Sequence, residues 1–566
     1  MTRDLKTLGG EPFDVLVIGG GAAGAAAARE ASLRGLRTAL IERDDFGGGT
    51  SAHCFKVVHG GIRYIQHADL RRLRLSCAER SALLRLAPHL VHPLPFVVPT
   101  YGHARSSKWF IGAGMLLYDA LTLGRNRGHK DPSRRIRLTR FLGREETLRH
   151  FPLLQRKGLT GAAVFEDGQM HNPARLVLAF VIAAQELGAT VANYVEAERF
   201  LLQGNRVIGV SARDRISGDR FDIRARLVIN AAGPWAEGLL QNLESRQATK
   251  PGTYSRDACF VIARNVPSRM ALAVPGASAD ADAVVARGTR HLFLVPWRDC
   301  TLVGVWHRVL PRDPDAVALD RDELQGFIDE INAAFPGLDL DEQEVRRTDF
   351  GLVPFGEAAR QNTAALSFGK HSRLIDHRRT DGIEGLITSI SVRYTVARRD
   401  AVNALNLAMR QLGSAGHVTD HSPLPGGDIE DFERFLRSAI SRRPAWLSER
   451  SAESLARNFG TRMSRVLAIA ESQPALRRCL PGTDVTLAEV AYALRSELAQ
   501  HMTDIVFRRT ELGTAGHPGE PALAELSNYM QQSLGWSTRR THEERRDVDR
   551  QFTRYLAADV PLRRSA

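Results

Sequence analysis

Cysteine is scarce in this chain: Cys54, Cys77, Cys259, Cys300 and Cys479 are spread over 566 residues. So few and so scattered, they exclude a disulfide framework and a C-x-x-C metal site; no metal is expected, and a reducing compartment is the default. Long apolar runs are missing too. None reaches the ~20 residues that a membrane-spanning helix needs. The nearest, Trp109 to Leu121 (WFIGAGMLLYDAL), reads either as a buried helix or as an amphipathic patch lying on a membrane. The opening MTRDLKTLGGEPFD has no apolar core, so no signal peptide is expected. No internal repeat or low-complexity tract stands out, which argues against a solenoid.

Positive charge, by contrast, is in excess. Lys and Arg total 77 against 64 Asp and Glu, a formal +13. Such a balance suits nucleic acid, an anionic membrane face or a small anionic substrate. No short basic block is interleaved with aromatics as nucleic-acid grooves require, so nucleic acid is not expected as a partner. A solvated arginine-rich surface remains the plainer alternative. The hydrophobic fraction of 43% and charged fraction of 25% are those of a soluble globular protein. A chain of this length calls for two or three structural units.

The stretch Phe13 to Glu42 organises the rest. An apolar run, Val15 to Ile18, suits a strand buried on both faces; it breaks into glycines and then into small residues at Ala22 and Ala23, an order that reads strand, tight turn, helix. Gly19, Gly21 and Gly24 form G-x-G-x-x-G, which supplies the turn, the close approach of a pyrophosphate and the packing of helix on strand. The N–H groups at the helix start would hold phosphates. A second apolar run ends in Glu42, where the fingerprint expects an acid for ribose hydroxyls. Strand, helix, second strand and acid together predict a dinucleotide site.

Downstream, Gly47 to Gly49 make a flexible loop, and Thr50 and Ser51 would cap the next segment or contact a phosphate. His59-Gly60-Gly61 lets backbone pass close to something flat, with Arg63 and Tyr64 behind it. Helical spacing runs from Leu70 to Leu86, and Asn172-Pro173 reads as the cap and first turn of another helix. The strand running into Asn230-Ala231-Ala232-Gly233-Pro234-Trp235 ends in small residues, as a buried sheet end with a glycine turn does. Shorter alternating strands occupy the stretch between about 242 and 368, with a helix over Asp320 to Phe335. Beyond 429 the pattern is almost wholly helical.

GGGAAGAAAA, TSAHCFKVVHGGIRYIQHAD, AERSALLRLAPHLV, INAAGPWAE and LPGG, in this order, resemble the FAD-dependent glycerol-3-phosphate dehydrogenases over most of the chain. The specific part is Lys56 to Tyr64, KVVHGGIRY; the resemblance implies a flavin-contacting loop leading to an arginine and a tyrosine that hold the substrate phosphate, here Arg63 and Tyr64. The implied FAD contacts are Gly19, Gly21, Ala22, Ala23, Gly24, Glu42, Thr50, Ser51, Lys56, His59, Gly60, Gly61, Ala232, Gly233 and Trp235. The implied fold is α/β: a discontinuous Rossmann-type FAD-binding domain (1–241 and 369–412), an inserted β-rich substrate domain (242–368, α+β), a linker (413–428) and a C-terminal all-α domain (429–566).

The family pattern breaks where a substrate would be chosen. Cys259 stands at the place of a family histidine, Val353 at that of a phosphate-binding arginine, and Ser391-Val392-Arg393 at that of G-G-K, so only the charge of Arg393 is kept. His171-Asn172-Pro173 replaces two aspartates, and His171 reads as a loop or cap residue. Each lost phosphate contact removes about 1.5–3 kcal/mol. The expected pocket gathers Arg63, Tyr64 and Arg393 around an anionic donor with His307 as the base. The expected activity is hydride transfer from a polyol phosphate to FAD and then to quinone or oxygen. A different donor (amino acid, amine or carrier-bound alcohol), a non-redox flavin carrier and a nucleic-acid-modifying flavoprotein stay open beside it. The expected place is the cytoplasm, with peripheral attachment to the inner face of the cell membrane and self-association as open alternatives.

Overall fold

A computed structural model of the chain describes residues 1–65, 68–102, 107–241, 243, 253–266, 268–279, 289–310, 319–355, 372–413 and 422–554. Two sheets and a helical unit organise them. In the first sheet the strand Phe13–Ile18 lies between Thr38–Ile41 and Arg220–Asn230, parallel to both; Thr190–Ala192 and Leu386–Ile390 extend it, also in parallel, and Arg373–Asp376 closes one edge antiparallel. A parallel sheet needs cover on both faces, and the uninterrupted apolar strands show it. Val15, Leu16 and Val17 have no solvent exposure. The cover on one side is the alanine-rich helix Ala22–Leu33, packed against Pro173–Glu186 and Ala397–Gln411. Asn172 caps the second of these by accepting from Arg175 N at 3.2 Å.

The second sheet runs Val345–Phe355, Thr253–Ile262, Cys300–Leu310, Thr289–Trp297, Ala271–Ala279, Val91–Tyr101, Leu159–Met170 and Val57–Val58, with Arg140–Gly143 against Leu159–Met170. This corrects the expected boundaries. The substrate-side sheet is not one insertion at 242–368, because strands between 57 and 170 belong to it. Val91–Tyr101 escapes a sequence reading because Pro93, Pro95 and Pro99 lie in it and proline cannot donate to a ladder. The strand tolerates them by pairing fully on one side only, with Leu159–Met170; toward Ala271–Ala279 it matches only Phe96 and Val97. Of the expected linker, 414–421 lie outside the described residues, and Leu424 beyond them is buried.

The C-terminal helices, from Phe432–Ser441 to Thr538–Arg554, build their own apolar core. A π-helical turn, Ile505–Arg509, presses Arg508 and Arg509 onto Asp45 in the loop after the second strand. Arg175 meets Glu497 through both terminal nitrogens, at 2.8 and 3.0 Å, and His171 meets Glu511 at 2.6 Å. His171 therefore joins two domains rather than serving a substrate.

Candidate active site

The glycine turn is fixed by contact. Gly19 has φ +101°, and a Cβ there would stand 2.7 Å from the carbonyl oxygen of Ala231; at Gly24 it would overlap the carbonyl oxygen of Gly19. Gly24 therefore packs helix on strand, and Gly19 and Gly21, with Ala22 and Ala23 at the helix start, line the adjoining cavity. Ser51 accepts from Ala22 N at 3.0 Å, holding the glycine loop against that start. Glu42 accepts from Gly20 N at 2.6 Å and from Asp44 N at 2.9 Å. Burial, and then the charge of Asp44, push its carboxyl up to about 7. Thr50 accepts from Leu352 N at 3.2 Å and so ties the loop to the second sheet.

The cavity encloses about 1280 Å³ between the two sheets, more than the ~300–1,000 Å³ of an ordinary small-ligand site and suited to an extended dinucleotide. Ala232, Gly233 and Trp235 line it, with the Arg43 guanidinium 4.7 Å from the Trp235 ring. Further along come Thr50, Ser51, His59, Gly61 and Tyr64. Arg393 reaches Tyr64 from the closing segment of the first sheet: it donates to the Tyr64 hydroxyl and to Ser76 Oγ (3.0 Å), and lies 5.0 Å over the Tyr64 ring. Arg72 stacks on the same ring at 4.8 Å. Arg63 belongs to the 3₁₀ turn Ile62–Ile65, and its side chain lies outside the described residues. His307 lines the cavity with Nδ1 2.7 Å from Asp257.

Three expected cofactor contacts do not line the cavity: Gly24, which packs helix on strand, and Lys56 and Gly60. Lys56 adopts a left-handed φ of 60°, which turns its ammonium inward onto Asp349 (2.7 Å) and over Trp297 (4.7 Å). Gly60 gives its N–H to Asp167 at 2.6 Å, and a Cβ there would collide with Arg80 and Tyr118. Both residues build the wall behind the site. The positions that depart from the family pattern, Cys259, Val353, Ser391 and Val392, all line the cavity. Burial pushes the Cys259 thiol up to about 12. Sequence reasoning missed His53, which lines the cavity with Nδ1 2.9 Å from the fully buried Asp349. Its place between Ser51 and Lys56, inside a motif already singled out, was the available signal.

The residues present fit FAD: a glycine cradle that a Cβ would fill, an acid beside it, and a cavity of about 1280 Å³. Comparison with known proteins agrees. Residues 14–373 match the family described as FAD dependent oxidoreductase, and residues 417–541 match the C-terminal domain of alpha-glycerophosphate oxidase. A glycerol-3-phosphate dehydrogenase of Synechocystis is 30% identical over 98% of this chain and 97% of its own length. The mitochondrial glycerol-3-phosphate dehydrogenase of Macaca fascicularis is 32% identical over 94% of this chain and 72% of its own. The crystal structure of glycerol-3-phosphate dehydrogenase from Bacillus halodurans complexed with FAD shares the fold, with a TM-score of 0.76 at 22% identity, covering 100% of this chain and 99% of that one. The chain is an FAD-dependent oxidoreductase and belongs to the glycerol-3-phosphate dehydrogenase family.

Proposed function

We propose that the chain oxidises glycerol 3-phosphate or a closely related polyol phosphate at its secondary alcohol. The observation that carries this reading is the Arg393–Tyr64–Ser76 cluster, of which Arg393 and Tyr64 line the cavity. A guanidinium with a phenol and a hydroxyl beside it matches a phosphate oxygen set, and Arg72 over the same ring adds positive charge, with Arg63 next to Tyr64 in the sequence. When bound, FAD supplies the two-electron acceptor, held by Gly19, Gly21, Ala22, Ala23, Glu42, Thr50, Ser51, His59, Gly61, Ala232, Gly233 and Trp235. The protein's own residues then fix the donor by its phosphate and exclude water with Phe96, Phe165, Phe293 and Val353. The hydroxyl proton passes to the cavity wall, where the His307–Asp257 and His53–Asp349 pairs stand.

Reoxidation through a membrane quinone fits the surface next to this cluster. Helix Lys108–Leu121 buries Met115 and Tyr118 and leaves Trp109 85%, Leu116 58% and Leu117 49% exposed; Leu123 beyond it is 78% exposed. The buried face answers the reading of this stretch as a packed helix, and the exposed apolar face supports the reading of a patch that lies on a membrane. Tyr118 packs on the segment that carries Ile62 and Tyr64, so the exposed apolar face backs directly onto the site. The partner of this face is an anionic bilayer, toward which the net +13 draws the protein.

Anaerobic mixing of the FAD-loaded protein with glycerol 3-phosphate, glycerol and amino acids tests the donor. Bleaching by glycerol 3-phosphate and not by glycerol supports it. Equal bleaching by both removes the anion pocket, and bleaching by an amino acid alone moves the chemistry to a C–N bond.

A further inference from the structure

Arg393 differs from its neighbouring arginines in what it is paired with. Arg72, over the same Tyr64 ring, meets Asp69 at 2.7 Å. Arg398 meets Glu79 through two nitrogens at 2.9 Å each, and Arg399 Nε stands 3.4 Å from the same carboxylate. Among the described residues Arg393 has no carboxylate partner; it donates to the hydroxyls of Tyr64 and Ser76. Yet a carboxylate is at hand. Asp400, in the first turn of helix Ala397–Gln411, is within electrostatic reach of Arg393. Its Oδ2 instead accepts from Ser372 Oγ and from Ser391 Oγ, at 2.6 Å each. We propose that this serine clamp holds Asp400 off Arg393, so that the guanidinium keeps its charge for the anionic group of the donor, and that Ser372 and Ser391 are positioning residues of the donor site.

The clamp rests on the reading of the donor as a phosphate ester, and it adds how the cation for that phosphate stays unneutralised. Ser372 accepts from Val392 N at 3.3 Å while it donates to Asp400, so the backbone beside Arg393 fixes the direction of its one proton. Ser391 lines the cavity and stands where the family pattern has a glycine, which has no hydroxyl to offer.

Two hydroxyl donors on one carboxylate oxygen suit its ionised form, in which such bonds are short and strong. Burial raises the Asp400 carboxyl, with Ser372, Ser391 and Arg393 acting against it and Glu79 adding to it; these are the groups that it faces. Glu79 is itself taken up by Arg398 and Arg399, so it neutralises neither Asp400 nor Arg393. Without the serine hydroxyls the Asp400 carboxylate loses two donors at once, and Arg393 is the unpaired cation within its reach. An ion pair between them would occupy the guanidinium from within the protein, in competition with the donor phosphate.

Calorimetric titration of the FAD-loaded protein with inorganic phosphate tests the clamp, the site's share being the binding that Arg393→Met removes. Ser372→Ala combined with Ser391→Ala is expected to raise the phosphate Kd by about tenfold, because a guanidinium turned toward Asp400 loses a charge-assisted contact to the anion. Adding Asp400→Asn should return the Kd to within about threefold of wild type, since an amide carries no competing charge. Asp400→Asn alone should bind phosphate as tightly as wild type or more tightly. A turn that was merely loosened is not repaired by a third substitution, so the recovery is what a structural role does not produce. Ser391→Ala alone should fall between wild type and the serine pair, and it decides the matter if the pair loses FAD. A phosphate Kd in the serine variants within about twofold of wild type overturns the proposal. So do a triple variant as weak as the pair, weaker phosphate binding in Asp400→Asn, and a wild type with no Arg393-dependent phosphate binding. If the wild type binds phosphate through Arg393 but glycerol 3-phosphate does not bleach it, the donor reading fails and the clamp stands.

Discussion

Replacing Asp45 with asparagine should loosen the C-terminal domain from the cofactor loop and weaken FAD. The Asp45 side chain is wholly buried and accepts from Arg508 Nε at 2.6 Å, Arg509 Nη1 at 2.6 Å and Nη2 at 2.8 Å, and Asn193 Nδ2 at 2.9 Å. Asp504 balances the second charge, accepting from Arg508 at 2.5 Å and from the Tyr194 hydroxyl at 2.6 Å. Two anions thus neutralise two guanidiniums, and Asp45→Asn leaves one positive charge buried and uncompensated. Breaking one partner of such a pair costs about 3–5 kcal/mol, a shift of roughly 10²- to 10⁴-fold in the docked-to-open ratio. Residues 43–51 carry the effect to the cavity, because Arg43, Asp44, Thr50 and Ser51 line it while Asp45 anchors them. Hydrogen exchange across 43–51 and 500–512 should accelerate and FAD retention on desalting should fall. The pH sign is also set: burial opposes it, but Arg509 and then Arg508 hold the carboxyl below its usual range. The stabilisation is therefore full above the unfolded value of about 3.9 and is lost only as pH falls through the lower folded value. Unchanged exchange and FAD retention in Asp45→Asn would refute the coupling, and so would release of the domain in wild type between pH 4 and 6.

Three other variants have outcomes that the structure sets. Glu42→Gln should weaken FAD by about 1–3 kcal/mol in a fluorescence titration, through loss of an ionised acceptor for ribose hydroxyls. Because burial lifts the Glu42 carboxyl to about 7, FAD uptake by wild type below pH 7 should release a proton, read by calorimetry in two buffers and absent in Glu42→Gln. Arg393→Met should raise the Kd for glycerol 3-phosphate by more than about tenfold at unchanged FAD content, since a charge-assisted contact contributes about 1.5–3 kcal/mol; an unchanged Kd removes Arg393 from the anion site. Trp109→Ser with Leu117→Ser should reduce sedimentation with anionic liposomes at low salt, leaving bleaching by the donor as it was.

What the sequence makes legible here is what the backbone does locally. The glycine turn could be read because each glycine answers a contact within one strand–turn–helix unit, and the Tyr64–Arg393 cluster because both residues sit beside segments that resemble a family. Lys56 was misread for a local reason too: its left-handed φ sends the side chain to the opposite side from the one the motif suggests. The His53–Asp349 pair is different in kind. Its partners are 296 residues apart, one in a loop inside a motif that stands out and one mid-strand in a stretch that does not, so the pairing shows only in the fold. The departures at Cys259 and Val353 showed in the sequence as losses of an imidazole and a cation from one pocket. The fold shows an imidazole and two cations on adjoining positions, His53, Arg347 and Lys56, gathered on one carboxylate. With Val353 where the family pattern has an arginine, the proposed hold on a donor phosphate would rest more heavily on Arg393 and Tyr64, so the Arg393→Met titration should discriminate more sharply here than in a relative that keeps that arginine.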